Sequence, residues 1–346
     1  MGRNNGAVPG RVTLAAIADQ ASVSLPTVSK VLNGRSDVSP STRERVETLL
    51  ANNGYRRRGD AAAASPLLEL VFHELESVWA IEVIRGVERV ARENGMSIIL
   101  TESGDRHSPG ADWIDGVLQR NPAGVILVFS DLSDGHKQQL ATRGIPFVVV
   151  DPAGDPAPDV PSIGSANWSG GLAATRHLID LGHTRIGMIS GPFDMMCSSA
   201  RIGGYRAALE SAGLPIDPSL IVEGDFHPEG GRLRAVELLD RPDRPTAIFA
   251  GSDLQAMGVY EAARALGLAI PADLSVVGYD DLPLARWVGP PLTTVRQPLT
   301  EMAEEAARLA LRLRRSPGLE VQRMDLATSL VVRQSSARLG QAGAGV

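Results

Sequence analysis

The sequence predicts an α/β protein with two Rossmann-like subdomains, preceded by an all-α helix-turn-helix head. Three observations carry this. Between residues 67 and 335, short apolar runs alternate with amphipathic helical stretches. Before residue 58 the apolar residues recur at helical spacing, in three short segments. Charge divides near the same boundary: up to residue 65, nine Lys and Arg stand against five acids, a balance of +4 in a chain whose total is −6.

The head comes first. Thr13 is a suitable N-cap for LAAIADQA, in which Leu14, Ile17, Ala18 and Ala21 form one apolar face. Ser24 can cap LPTVSKVLNG, because Pro26 is tolerated in a first turn and Gly34 supplies the stop. Val28, Val31 and Leu32 then point inward, and Leu25, Pro26, Ser29, Lys30 and Asn33 outward. SPSTRERVETLLANNGY makes the third helix, capped by Ser39 or Ser41, with Val46, Leu49 and Leu50 as its stripe and Gly54 at its end. Two short helices on a tight turn, propped by a third, place the second where it can read a DNA groove. A basic head on an acidic body suits phosphate contact by the head alone. A solvated charge asymmetry is the alternative reading.

In the body, LLELVFH, MSIILTE, AGVILVF, IPFVVVD, RIGMIS, TAIFAG and DLSVVGYD read as strands of parallel sheets with helices on both faces. The region is long for one such sheet and natural for two. No run of about 18 uncharged apolar residues occurs, and MGRNNGAVPGR lacks the apolar core of a signal peptide. A cytoplasmic location without a membrane partner is therefore expected. The single cysteine, Cys197, excludes an internal disulfide and any cysteine-cluster zinc site, and reads as inert filling. No metal and no cofactor are expected. Absence of GxSxG, Walker, HExxH and GxGxxG patterns argues against an enzyme. His177 and His183, in RHLIDLGH, read as cap or surface residues, and the charge pairs of AIEVIRGVERVAREN as a solvated helix face.

TLAAIADQASVSLPTVSKVLNG, the following VSPSTRERV and the NGY after it resemble the lactose-repressor (LacI) family of bacterial regulators. LGHTRIGMISGP, SARIGGYRAAL, AIFAGSDLQAMGVYEAARALGL, IPADLSVVGYDDL and PPLTTVRQP extend the resemblance through the body, which is in turn similar to periplasmic sugar-binding proteins. The resemblance implies a DNA-binding head over 12–58, a hinge over 59–66 and an effector-binding core over 67–335. The core divides into an N-subdomain (about 67–161 and 296–324) and a C-subdomain (about 162–295 and 325–335), leaving 336–346 as a flexible tail.

By the same resemblance, Leu25, Pro26 and Lys30 reach base edges, while Thr13, Thr27, Ser29 and Asn33 meet phosphates or flanking bases. Lys30 can donate to guanine O6 and N7; Leu25 and Pro26 can press on a thymine methyl, or simply pack the first turn. In the hinge the family's minor-groove wedge falls on Ala64, too small to hold a base step open. Arg56, Arg57 and Arg58 either grip phosphates or form a solvated linker run.

The family's effector positions, in a cleft between the subdomains, fall on Trp79, Ser130, Asp151, Arg201, Phe226, Ser252 and Asp280. Aromatic rings suit the C–H faces of a sugar; carboxylates and a forked guanidinium suit its vicinal hydroxyls. Arg201 and Asp280 lead this set, near strand C-termini. Trp79 and Phe226 read alternatively as core, Asp151 as a turn cap, and Ala80 stands where the family often has a second aromatic residue. The implied function is a repressor of carbohydrate-utilisation genes, binding a pseudo-palindromic operator as a homodimer under control of a small sugar or oligosaccharide. SVWAIEVIRGVERVAREN and AMGVYEAARALG are the expected dimer elements, and SSARLGQAGAGV lacks the leucine heptads of a tetramerising coiled coil. A non-sugar effector, a protein corepressor, or a head with degraded operator specificity are the alternatives.

Overall fold

Thr13 opens the first helix as its spacing predicts. Its Oγ1 accepts a hydrogen bond from the Ala16 amide at 3.3 Å, and α1 (Leu14–Ala21) ends at Ser22, whose φ of 55° turns the chain sharply. The Ser24 hydroxyl accepts from the Thr27 amide at 3.3 Å and starts α2 (Leu25–Leu32). Ser39 accepts from Thr42 at 3.3 Å, which makes it, not Ser41, the cap of α3 (Pro40–Asn52). Ile17, Val28 and Val46 meet in a fully buried head core, and Leu25 on the opposite face of α2 is 48% exposed. Each such aliphatic contributes about 1.5–3 kcal/mol by leaving water.

This computed structural model describes residues 13–32, 38–53, 65–75, 78–104, 109, 111–128 and 132–340. Asn33, Arg56, Arg57, Arg58, Ala64 and Ser130 lie outside the described residues.

Strands and helices then alternate: β1 (Ser65–Phe72), α4 (Val78–Glu93), β2 (Ser97–Glu102), α5 (Ala111–Arg120), β3 (Pro122–Val128), α6 (Asp134–Arg143), β4 (Phe147–Val150), β5 (Ser162–Ser165), α7 (Asn167–Asp180), β6 (Ile186–Ser190) and α8 (Met196–Ser211). They continue through β7 (Ile221–Glu223), α9 (Pro228–Leu239), β8 (Ala247–Ala250), α10 (Asp253–Ala265), β9 (Ser275–Asp280), β10 (Thr293–Arg296), α11 (Leu299–Arg315), β11 (Arg323–Leu326) and β12 (Ser329–Val331). Two six-stranded sheets result, ordered β2-β1-β3-β4-β5-β11 and β7-β6-β8-β9-β10-β12. Both repeat the doubly wound order 2-1-3-4-5, whose switch points lie at β1/β3 and β6/β8. In the second sheet β12 runs antiparallel to β10. The sequence pattern misses β5, β7, β10, β11 and β12, each three or four residues long and carrying polar residues, unlike the equally short but wholly apolar β4 and β8.

By contacts the chain divides into two compact units, one of residues 1–74, 88–148 and 307–320, the other of 75–87, 149–306 and 321–346. In the first, Glu69 lies fully buried in the middle of β1. Arg120 donates to its carboxylate through Nε at 3.0 Å and Nη2 at 2.5 Å, and Thr101 Oγ1 adds a third bond at 2.9 Å. In the second, α7 and α8 touch through glycines: a Cβ on Gly171 would strike the Arg201 carbonyl, and one on Gly204 the Trp168 carbonyl. This close approach seats Arg201 against the sheet.

Residues 336–339, part of the expected tail, are held in the second unit. His177 Nε2 bonds Ser336 Oγ at 2.9 Å, His183 Nε2 meets the Ala337 carbonyl at 3.1 Å, and the Leu339 amide donates to Leu181 O at 2.9 Å. His183 is buried rather than superficial, with Nδ1 on Thr246 Oγ1 at 2.9 Å. Burial lowers its pKa and keeps the ring neutral. No described helix is long and apolar enough to cross a membrane.

Candidate functional site

Arg201 is the centre of a buried polar cluster in the second unit. It is 4% exposed, carried on α8, and all three of its nitrogens donate: Nε to Asn167 Oδ1 at 2.8 Å, Nη1 to Gly251 O at 2.6 Å, and Nη2 to Gln297 Oε1 at 3.3 Å. Its guanidinium carbon stands 3.7 Å from the centre of the Tyr279 ring and 5.6 Å from that of Phe226, within cation–π range of both. Gly251 directly follows β8, so the guanidinium sits at the switch point beside β6 and β8, where doubly wound sheets hold ligands.

Two carboxylates complete the cluster. Asp151, just after β4, accepts long bonds from Asn167 Nδ2 and Gln297 Nε2, both at 3.4 Å. Asp280, at the end of β9, holds Gln297 through its backbone carbonyl, 3.3 Å from the Gln297 amide. Burial pushes both pKa values up, and Arg201 opposes the rise. Burial works against the charge on Arg201, but Tyr279, Cys197, Asp280 and Asp151 outweigh it and raise its pKa. The group at the centre is therefore a permanent cation. Cys197 beside it is inert as a nucleophile, its thiol pushed up to about 12 by burial.

Ser252 caps α10, accepting from the Gln255 amide at 3.0 Å and donating to the Phe226 carbonyl at 3.1 Å. Phe226 itself is half-buried, its ring laid over Gly191, where any Cβ would collide with it. Among the described residues, Asp151 (φ 48°), Phe226 (68°), Asp280 (115°) and Asp281 (57°) are non-glycine residues in the left-handed region. Each such residue costs about 1–3 kcal/mol, and such strain gathers where side chains must be aimed. The surrounding bonds hold them there. Asp281 pairs with Arg333, and Asp253 accepts from Leu282 N at 2.7 Å and Thr294 Oγ1 at 2.6 Å. A cavity of about 370 Å³ opens beside the cluster, lined by Asp280 and Gln297 and rimmed by Trp287 and Arg296.

Of the positions expected from sequence, Asp151, Arg201, Phe226 and Asp280 thus gather at one place, and Ser252 supports the loop that bears Phe226. Trp79 is buried on α4. Asn167, Tyr279 and Gln297 were not expected. Gln297 closes the strand segment TTVRQ and Tyr279 precedes Asp280, so their signal was position at a strand's C-terminal end.

Known proteins resemble the chain in both its head and its body. The lacI family of bacterial regulatory proteins matches residues 13–58, and a periplasmic binding protein-like domain matches residues 175–336. The HTH-type transcriptional regulator CelR of Thermobifida fusca is 36% identical over 340 residues, covering 94% of this chain and 98% of CelR. The chain belongs to the LacI family. Within the family, the solved complex of transcriptional regulator CelR with cellobiose superposes with a TM-score of 0.71 at 35% identity, over 94% of this chain and all of that one. A LacI-family regulator from Enterococcus faecium with bound ribose gives 0.72 at 26% identity, over 79% of this chain and 99% of that one. Membership makes the chain a LacI-type transcriptional regulator governed by a small-molecule effector.

The head's geometry fits this assignment. Leu25, Pro26 and Lys30 are exposed on one side of α2, while Thr27 and Ser29 are half-buried beside them. Thr13 is exposed at the start of α1, where a helix N-terminus favours a phosphate.

Proposed function

We propose that the chain is a repressor of carbohydrate-utilisation genes whose effector is a small sugar or oligosaccharide held at Arg201, Asp151, Asp280 and Phe226. The observation that carries this reading is the desolvated Arg201 fork, flanked by two carboxylates and two aromatic rings at the switch point. Carboxylates accept from vicinal hydroxyls, the fork donates to them, and Phe226 covers an apolar C–H face. The sugars bound in the CelR and Enterococcus faecium complexes support the same class. The head reads its operator through Leu25, Pro26 and Lys30, with Thr13, Thr27, Ser29, Asn33 and Arg56–Arg58 on phosphates and flanking bases. A homodimer presents two heads to a pseudo-palindrome; Val78 and Ile81, apolar yet exposed on α4, suit its interface.

The test is a thermal-shift screen of cellobiose, ribose and other mono- and oligosaccharides against nucleobases. A sugar should raise the melting temperature with concentration, by about 2.7 kcal/mol of stability at 100 times its dissociation constant. Stabilisation by a nucleobase alone would overturn the sugar class. Equal affinity for a selected duplex and its scrambled version would overturn the operator reading.

A further inference from the structure

The head is not joined to the rest of the first unit by its chain alone. Arg143, the last residue of α6, donates through Nη2 to the Val31 carbonyl at 2.7 Å and through Nη1 to the Leu118 carbonyl at 3.1 Å. Val31 is in the last turn of α2, the reading helix, and Leu118 in the last turn of α5. Helix C-termini carry unsatisfied carbonyls and partial negative charge, so a guanidinium between two of them is doubly favoured. One turn earlier on α6, Gln139 Nε2 donates to Glu47 Oε2 of α3 at 3.1 Å. Burial raises the Glu47 pKa against the opposing pull of Gln139, Arg43 and Arg143, as befits a carboxylate inside a contact. A cleft of about 190 Å³, open to the surface, runs along the seam and is lined by Leu32, Leu50 and Thr142. Leu25, Pro26 and Lys30, on the other side of α2, stay exposed.

We propose that α6 is a docking shelf for the head, with Arg143 as the clip that sets the attitude of the reading helix. The shelf leaves the base-reading face open, so it orients the head without blocking it. It also supplies a constraint that the hinge, with alanine at the wedge position, is poorly equipped to give. The chain leaves α6 through Gly144, runs along β4 and arrives at Asp151, eight residues after Arg143. Provided that the effector reading above holds, a shift of Asp151 on sugar binding has a short covalent path to the shelf.

The experiment compares amide hydrogen exchange across the full-length protein with its Arg143→Met, Gln139→Met and Arg143→Lys variants. Two charge-assisted bonds tie Arg143 to its carbonyls, and losing even one, at about 1.5 kcal/mol or more, predicts roughly tenfold faster exchange in α2 and α3. Peptides of the strands β1, β2 and β3 should be unchanged in Arg143→Met, while the end of α5, which loses the bond at Leu118, should loosen with the head. Gln139→Met should show a smaller effect, and Arg143→Lys, which cannot bridge both carbonyls, an intermediate one. Unchanged head exchange in both Arg143→Met and Gln139→Met would overturn the shelf, as would loss of protection throughout the unit. Repeating the exchange with saturating cellobiose should alter the head in wild type and not in Arg143→Met. Failure of cellobiose to bind the wild type would count against the effector reading alone, because the ligand-free comparison still decides the shelf.

Discussion

Replacing Arg201 with methionine keeps the aliphatic stem and removes the cation. Three buried hydrogen bonds disappear, to Asn167, Gly251 and Gln297, and Asp151 and Asp280 lose the charge that opposes their desolvation. Breaking a buried ionic arrangement by removing one partner costs on the order of 3–5 kcal/mol. At roughly 2–4 °C per kcal/mol for a unit of this size, the melting temperature should fall by about 6–20 °C at pH 8. The deficit must depend on pH. Both carboxyls already have folded-state pKa values above the ordinary 3.8, and removing Arg201 raises them further. A raised carboxyl contributes stability that is complete below its unfolded pKa and is lost as pH rises through its folded pKa. The Arg201→Met deficit should therefore shrink at pH 5, where the two acids can take up protons. Adding Asp280→Asn should recover part of it at pH 8. Scanning calorimetry of the single and double variants at both pH values measures this. Equal deficits at pH 5 and pH 8, with no recovery in the double variant, would refute the assignment of Arg201 as counter-charge.

Gly191→Ala places a methyl in the Phe226 ring, so calorimetric titration should show at least tenfold weaker sugar binding with the head's DNA affinity intact; unchanged binding would remove Phe226 from the site. Lys30→Met should relax discrimination at one base position by about 1–3 kcal/mol, read from competition between selected duplexes; a uniform loss across sequences would instead make Lys30 a phosphate contact. Asp253 is raised to about 7, chiefly by burial. Its contribution is full below pH 3.8 and fades as pH climbs through about 7. Asp253→Asn should accordingly flatten the fall in melting temperature across that window, and an unaltered slope would assign the pH dependence elsewhere.

The head was almost fully legible from its residues. Thr13, Ser24 and Ser39 are caps because short hydroxyl side chains suit helix starts, and Val28, Val31 and Leu32 are inward because a helix of eight residues has one stripe to bury. Strands with an apolar run were legible too, even the four-residue FVVV and AIFA, whereas SIGS and IVE are both short and carry polar residues. In the candidate site, Asp280 does end a strand as its place in the sequence suggests, whereas Arg201, also expected near a strand end, sits within α8. Gln297, Asn167 and Tyr279 could not be chosen from the sequence, because their partners lie 96, 34 and 78 residues away from them in sequence, at Arg201. Only the winding of the sheet brings such positions together. His183, expected as a cap or surface residue, is buried for a similar reason: its partner Ala337 arrives from the far end of the chain.

Glu69 bears on how the first unit folds. A strand buried on both faces offers little to distinguish one register from the next, since sliding Leu68 or Leu70 past a neighbour exchanges one apolar contact for another. A single carboxylate changes that. Moved by one position, it would face the other side of the sheet, away from Arg120 and Thr101, as a buried charge without a donor. Misaligned pairings of β1 are thereby penalised far more than the aligned one is rewarded, and the first strand, paired on both of its edges with β2 and β3, carries its own proofreading mark.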